Sequence, residues 1–260
     1  MTTLTKIIVS TLLSLLFFSC NFDINLGGVV GNGHVVKETR TIDGPFDAIQ
    51  ASEGLNVYLT QNDSESIIVE ADENLQDLII TEVSNNVLKI HTKKNIGSAA
   101  SKKITVNFKN VSRITSDSGS NVYSINTIIA EELKLETSSG SDMVLDVNAS
   151  KVYCSASSGS DLELDVNSLV IECHSSSGSD IELTGKVTKL TAEASSGSDI
   201  KASDLLAEST EAIASSGSDI SVNTSKELIA SANSGGGISY YGNPEKVERN
   251  DSPSGSIKKK

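Results

Sequence analysis

The sequence predicts an all-β fold, a right-handed parallel β-helix (β-solenoid) with 19–21-residue repeats, and three observations carry that prediction. First, the phrase Asp117-Ser118-Gly119-Ser120-Asn121 returns as Ser139-Gly140-Ser141-Asp142, Ser158-Gly159-Ser160-Asp161, Ser177-Gly178-Ser179-Asp180, Ser196-Gly197-Ser198-Asp199 and Ser216-Gly217-Ser218-Asp219, then fades at Gly235-Gly236-Gly237. The glycines at 119, 140, 159, 178, 197, 217 and 236 stand 21, 19, 19, 19, 20 and 19 residues apart. Second, apolar residues hold register around them. Three residues after each glycine come Val122, Met143, Leu162, Ile181, Ile200 and Ile220; seven before come Leu133, Val152, Ile171, Leu190 and Ile229; five before come Leu135, Cys154, Cys173, Ala192, Ala212 and Ser231. Each repeat thus offers two short strands of period two, joined by a Ser-Gly turn and a variable turn such as Gly185-Lys186-Val187-Thr188. Third, the 260 residues include no Trp, five Phe and five Tyr, too few rings for an aromatic core but compatible with stacked columns of Ile, Val, Leu, Ala and Ser. Stacking satisfies the backbone by parallel pairing and buries the columns, and backbone sterics favour a right-handed winding.

In chain order, Lys6, the apolar run Ile7 to Phe18 and Ser19-Cys20 resemble the signal of a bacterial lipoprotein. Residues 1–19 are then a lipoprotein signal peptide, too short for a transmembrane helix of about 20 apolar residues. Cys20 becomes the lipid-bearing N-terminus, and residues 20–42 form a lipid-linked tether and a first strand. Residues 43–243 are expected to be a single β-helix domain, with 43–115 as irregular first coils and 116–243 as the regular repeats. Within the first coils Leu55, Val57 and Leu59 share one face, Asp72 to Leu78 can form a helical turn capped by Asp72, and Asn85-Asn86 suits a tight turn with left-handed backbone. The lysine-rich segment from Lys93 to Lys103 reads as a solvated loop whose four lysines could also meet an anion. Tyr240 and Tyr241 can cap the stack, and residues 244–260 read as a disordered tail.

The repeated phrase is also the candidate site. Gly119, Gly140, Gly159, Gly178, Gly197 and Gly217 supply the structural turn, where a backbone angle or crowding forbids a Cβ. Alternation carried through the turn points the flanking serines, such as Ser158 and Ser160, inward and the residue after them outward. Asp142, Asp161, Asp180, Asp199 and Asp219 would therefore form a ladder of carboxylates, begun by Asn121. Neighbours about 4.8 Å apart repel, so the ladder is relieved by turn hydrogen bonds and solvent or by a cation such as calcium. No cofactor and no defined metal site follow from it. Cys154 and Cys173 occupy the same position in adjacent repeats, as free buried thiols or as a ladder disulfide.

The net charge of -13 disfavours nucleic acid as a partner. A Ser-His-Asp centre needs a positioned histidine, and His174, the one histidine in the repeats, alternates with Cys173 toward solvent. The acids keep the repeat's regularity, unlike the carboxylates of a polysaccharide-cleaving β-helix, so the chain reads as no enzyme.

Phe46-Asp47-Ala48-Ile49, Gly54-Leu55-Asn56-Val57-Tyr58-Leu59-Thr60-Gln61, Ile68-Val69-Glu70-Ala71-Asp72-Glu73-Asn74-Leu75 and Val87-Leu88-Lys89-Ile90, followed by the Ser-Gly-Ser-Asp units, resemble the auto-transporter adhesin or head GIN domain family. These are small secreted lipoproteins of Bacteroidetes with a domain of unknown function. The resemblance covers residues 43 to 242 and implies a right-handed parallel β-helix whose N-terminal segment forms irregular first coils. It implies a lipid-anchored cell-envelope protein, adhesin-like, that contacts protein or glycan through the solenoid face. A structural or assembly role and a calcium-dependent carbohydrate binder are the alternatives. The expected partners are the membrane, through the N-terminal lipid at the outer membrane, and an envelope protein or glycan. Oligomeric state and the side of the membrane faced stay open.

Overall fold

The computed structural model describes residues 27–260; the signal segment 1–19 and Cys20 lie outside them. Every regular element but one among the described residues is a strand. In order they are β1 (Val29–Val30), β2 (Val35–Arg40), β3 (Ala48–Ala51), β4 (Asn56–Gln61), β5 (Ser66–Asp72), a 3-10 turn (Glu73–Leu78), β6 (Ile79–Ser84), β7 (Val87–Thr92), β8 (Ile96–Ser98), β9 (Lys102–Phe108), β10 (Arg113–Ser116), β11 (Asn121–Ser124) and β12 (Ile128–Ser138). There follow β13 (Asp142–Ser157), β14 (Asp161–Ser176), β15 (Asp180–Ser195), β16 (Asp199–Ala214), β17 (Asp219–Ala232), β18 (Gly237–Tyr241), β19 (Lys246–Asp251) and β20 (Ser256–Lys259). All but β1 and β8 belong to one sheet, and from β10 onward every pairing is parallel. The chain is a parallel β-solenoid.

One 16-residue strand makes most of each regular coil. From β12 to β15 the variable segment does not interrupt the ladder, contrary to the two-strand reading, whereas the β15–β16 and β16–β17 registers shift beside it. In the β13–β14 pair the register runs from Asp142↔Asp161 to Ala149↔Ser168 and resumes at Lys151↔Val170. What changes there is the phase. Met143, Leu145, Val147 and Ala149 are buried; Ser150 and Lys151 then both turn out, so that Val152, Cys154 and Ala156 are buried on the opposite parity. Two outward residues in succession bend the strand around the core without breaking its pairing. Fully burying each Leu, Ile or Val in these columns contributes on the order of 1.5–3 kcal/mol.

The first coils are not wound in sequence order. β3 and β4 pair with β10 and β11 on one side and with β7 and β9 on the other, all in parallel. Residues 87–108 therefore form the coil beneath residues 48–61, although they come later in the chain. Strands β5 and β6 pair antiparallel with β9 and β7, and β2 adds antiparallel to β5, closing this end of the stack. The Asn85-Asn86 turn joins β6 to β7 with φ of 54° and 62°, as its residue types predict. Asp72 does not cap the 3-10 turn. It is fully buried, and its carboxylate accepts the backbone N–H groups of Gly33, Ala100 (2.8 Å) and Ser101 (3.1 Å). Burial pushes this carboxyl up, but those donors outweigh burial and hold it below the ordinary aspartate range.

The C-terminal end differs from expectation twice. Residues 246–259 are not a disordered tail: β19 pairs with β17 and β20 with β18, so the stack continues. The backbone here follows the register of the coils below, although the composition is polar. The last repeat is also shifted by one residue. Ser234 and Gly235, with φ of 50° and 82°, take the turn position, so the repeat centres on Gly235 rather than Gly236. Leu228 and Ala230 are consequently buried, and Ile229, expected inside, is 41% exposed.

Candidate functional site

At each Ser-Gly turn both central residues have left-handed backbone. Ser139, Ser158, Ser177, Ser196 and Ser216 have φ between 55° and 58°, and the glycines after them between 66° and 73°. Two successive positive φ values define the tight turn of type I′. A Cβ placed on any of these glycines meets nothing within 4 Å, so glycine is required by angle and not by crowding. The turn exposes Ser158 instead of pointing it inward, because its left-handed backbone breaks the alternation. The serine after the glycine is the buried one: Ser120, Ser141, Ser160, Ser179, Ser198 and Ser218 are all inaccessible. Ser179 Oγ accepts the N–H of Ser176 (3.2 Å) and lies 2.9 Å from the carbonyl of Ala156, one coil earlier. Ser198 and Ser218 repeat this with Ser175 O and Ala194 O. These hydroxyls staple successive corners together.

The carboxylate ladder forms as the register demands: Asn56, Asn121, Asp142, Asp161, Asp180, Asp199 and Asp219 align on consecutive rungs. Partial burial, with Asp142 and Asp180 on either side, raises the Asp161 carboxyl above its ordinary range. Lys201 Nζ, 2.7 Å from Asp180 Oδ2, relieves the next rung. The carboxylates run in file instead of converging, and no group of three or more His, Cys, Asp or Glu among the described residues is placed to hold a metal. Gly237 ends the column, where a Cβ would strike Asp219 Oδ1.

Cys154 and Cys173 face each other across the β13–β14 ladder as free, buried thiols. The Cys154 thiol and complete burial hold Cys173 well above the ordinary thiol range, so it stays protonated and unreactive. His174 lies outward, 3.1 Å from Glu193.

The concave surface lies at the other corner, where the strand bends. A groove of about 580 Å³ crosses from the β13 coil to the β17 coil, lined by Asn148, Asn167, Asn223 and Lys186 beside Leu169 and Leu206. These two leucines are 61% and 54% exposed. Sequence reasoning passed over them. The available signal was the run Leu169-Val170-Ile171, which breaks period two where the bend turns two residues outward. The stacked pair Tyr58–Tyr123 (centroids 5.2 Å apart) lies elsewhere, on the first coils, and each ring covers one face of the other.

A family model described as "Putative auto-transporter adhesin, head GIN domain" matches residues 45–244. No curated protein matches the chain. Among solved structures, a protein from Parabacteroides distasonis ATCC 8503 described as a "putative lipid binding protein" is 23% identical, with TM-score 0.83 over 89% of this chain and 99% of its own. A "putative adhesin" from Parabacteroides merdae ATCC 43184 is 19% identical, with TM-score 0.80 over 89% and 98%. Another from Bacteroides fragilis NCTC 9343 is also 19% identical, with TM-score 0.69 over 90% and 100%. At these identities the likeness establishes the fold.

Proposed function

This chain belongs to the auto-transporter adhesin, head GIN domain family, and we propose that it is a non-catalytic, adhesin-like protein of the cell envelope that grips a protein partner in the groove at its bend corner. Lipid on Cys20 tethers it to the outer membrane in this reading, with a β-helix domain that runs from residue 43 through the C-terminal strands β19 and β20. The observation that carries the proposal is the pair Leu169 and Leu206, exposed on an acidic chain among the side-chain amides of Asn148, Asn167 and Asn223. Exposed leucine beside hydrogen-bonding amides suits an extended peptide segment, which offers side chains and backbone polar groups in alternation. A glycan would instead use an aromatic platform, and no aromatic side chain is among the described residues that line the groove.

Cross-linking on intact cells tests this. The wild-type protein should capture a discrete envelope protein, and the Leu169→Asp/Leu206→Asp variant should lose it while keeping its melting temperature. Capture unchanged in that variant would remove the groove from the proposal. Consistent sugar binding on a glycan array, abolished by the same variant, would move the partner to a glycan. Protease accessibility on whole cells reports which side of the membrane the domain faces.

A further inference from the structure

In the coil made by β7 and β9, the corner that holds a Ser-Gly turn elsewhere is replaced by residues 93–101. The neighbouring corner, Glu53-Gly54, has the usual turn, with φ of 64° and 73°, and Gly54 N donates to Ser118 O as the other turn glycines do to the next coil. The longer loop opens a cavity of about 380 Å³ against that turn. Lys93, Lys94 and Lys102 line it together with Thr92, Ser118 and Glu53.

The charge there runs against the chain's net -13. Lys37, Lys134, Lys151, Lys201, Lys226 and Lys246 each hold a carboxylate within 3.1 Å, whereas Lys93, Lys94 and Lys102 form no ion pair among the described residues. The one carboxylate in the cavity, on Glu53, is turned onto Thr92, whose N–H and Oγ1 donate to Oε2 at 2.6 and 2.8 Å. Three ammonium groups against one carboxylate leave two formal positive charges facing the cavity. Lys103 is not available, because it lies over the Tyr58 ring at 4.6 Å.

We propose that this cavity is a binding site for a phosphate-class oxyanion, with Lys93, Lys94 and Lys102 as its ligands and the Thr92 and Ser118 side chains as its polar wall. Lysine suits this role as a compact point charge on a flexible stem, and a doubly charged anion matches the uncompensated charge. The anion is either a soluble phosphate ester or a lipid phosphate. The chain enters the fold beside this loop, with Val29 N donating to Asn95 O and Gly31 N to Ser98 O, which places the site at the end nearest the N-terminus. The site is independent of the groove and of its partner.

Calorimetric titration of the purified protein with inorganic phosphate tests the proposal. Saturable binding is expected, weakened at least about tenfold in Lys93→Glu/Lys94→Glu. Both residues are exposed on a loop, and unchanged circular dichroism checks the fold. Lys109→Glu/Lys189→Glu, a change of equal charge at exposed positions outside the cavity, should bind phosphate as the wild type does. Co-sedimentation with phosphatidylcholine vesicles, with and without phosphatidylglycerol, separates the sources. Sedimentation that needs phosphatidylglycerol and the two lysines assigns the site to a lipid phosphate, and phosphate binding without sedimentation assigns it to a soluble ester. Absence of both, or equal weakening by Lys109→Glu/Lys189→Glu, would overturn the proposal.

Discussion

Single side chains at the Ser-Gly corner carry separable energies. Ser179 has no exposure, and replacing it with alanine removes its hydroxyl's bonds to the Ser176 N–H, the Ala156 carbonyl and the Ser175 hydroxyl from a buried corner. Ser179→Ala should destabilise the protein by about 1–3 kcal/mol in chemical denaturation. Ser177→Ala, one residue before the glycine and exposed through its left-handed backbone, should cost less because no buried partner is lost. Asp161 works in the opposite sense. Its folded-state carboxyl lies above the ordinary value, by partial burial and then by Asp142 and Asp180, so the folded protein holds that proton more tightly than the unfolded chain does. Stability from this group is full below the ordinary aspartate value and declines as pH rises through the raised one. Asp161→Asn should therefore be the more stable protein at neutral pH, by at most about 0.5 kcal/mol at so solvated a position. The gain should vanish when melting is measured below the ordinary aspartate value. Asp72 has the other sign: its contribution is present above the ordinary value and is lost as pH falls through its depressed one.

Among the elements, the turn column shows how local chemistry and long-range order divide. Ser-Gly-Ser-Asp and the apolar residues beside it were legible because glycine and period-two alternation act within a few residues. The rung at Glu53-Gly54-Leu55-Asn56 escaped the repeat pattern, although it has the same backbone and joins the same columns. It lies 65 residues before Gly119, with β5 to β9 inserted between. No local signal reports that residues 87–108 slide beneath residues 48–61, since that order is set by which apolar faces meet. At the other end Arg249 pairs with Ala230 and thus stands on a column that is otherwise small or apolar; its Nη2 donates to Ile257 O at 2.7 Å. A charged side chain exposed on β19, the last described rung of that column, opposes edge-to-edge pairing by another chain. Arg249→Leu should accordingly shift the protein toward larger species in sedimentation velocity. A lower melting temperature without association would limit Arg249 to packing.

For the whole molecule, each regular coil touches chiefly the coil above and the coil below, so stability is close to a sum over coils and interfaces. Excision of residues 161–179 removes one 19-residue period and joins Ser160 to Asp180 in the same register. The shortened protein should fold, with unchanged strand content by circular dichroism and a melting temperature lower by only a few degrees; an unfolded product would show that the stack is not modular. The same excision shortens the groove by removing Asn167 and Leu169, so partner capture should weaken while phosphate binding at the Lys93 loop persists. By itself the sequence determined the solenoid, its period, the turn residues and the file of aspartates, because these follow from glycine's backbone freedom and from side chains alternating at fixed spacing. Only the tertiary structure decided the order of the first coils, the ordered C-terminal strands, the bend that exposes Leu169 and Leu206, and the gathering of Lys93, Lys94 and Lys102. Each of those depends on residues far apart in the chain meeting across the stack, and period-two alternation carries no record of such meetings.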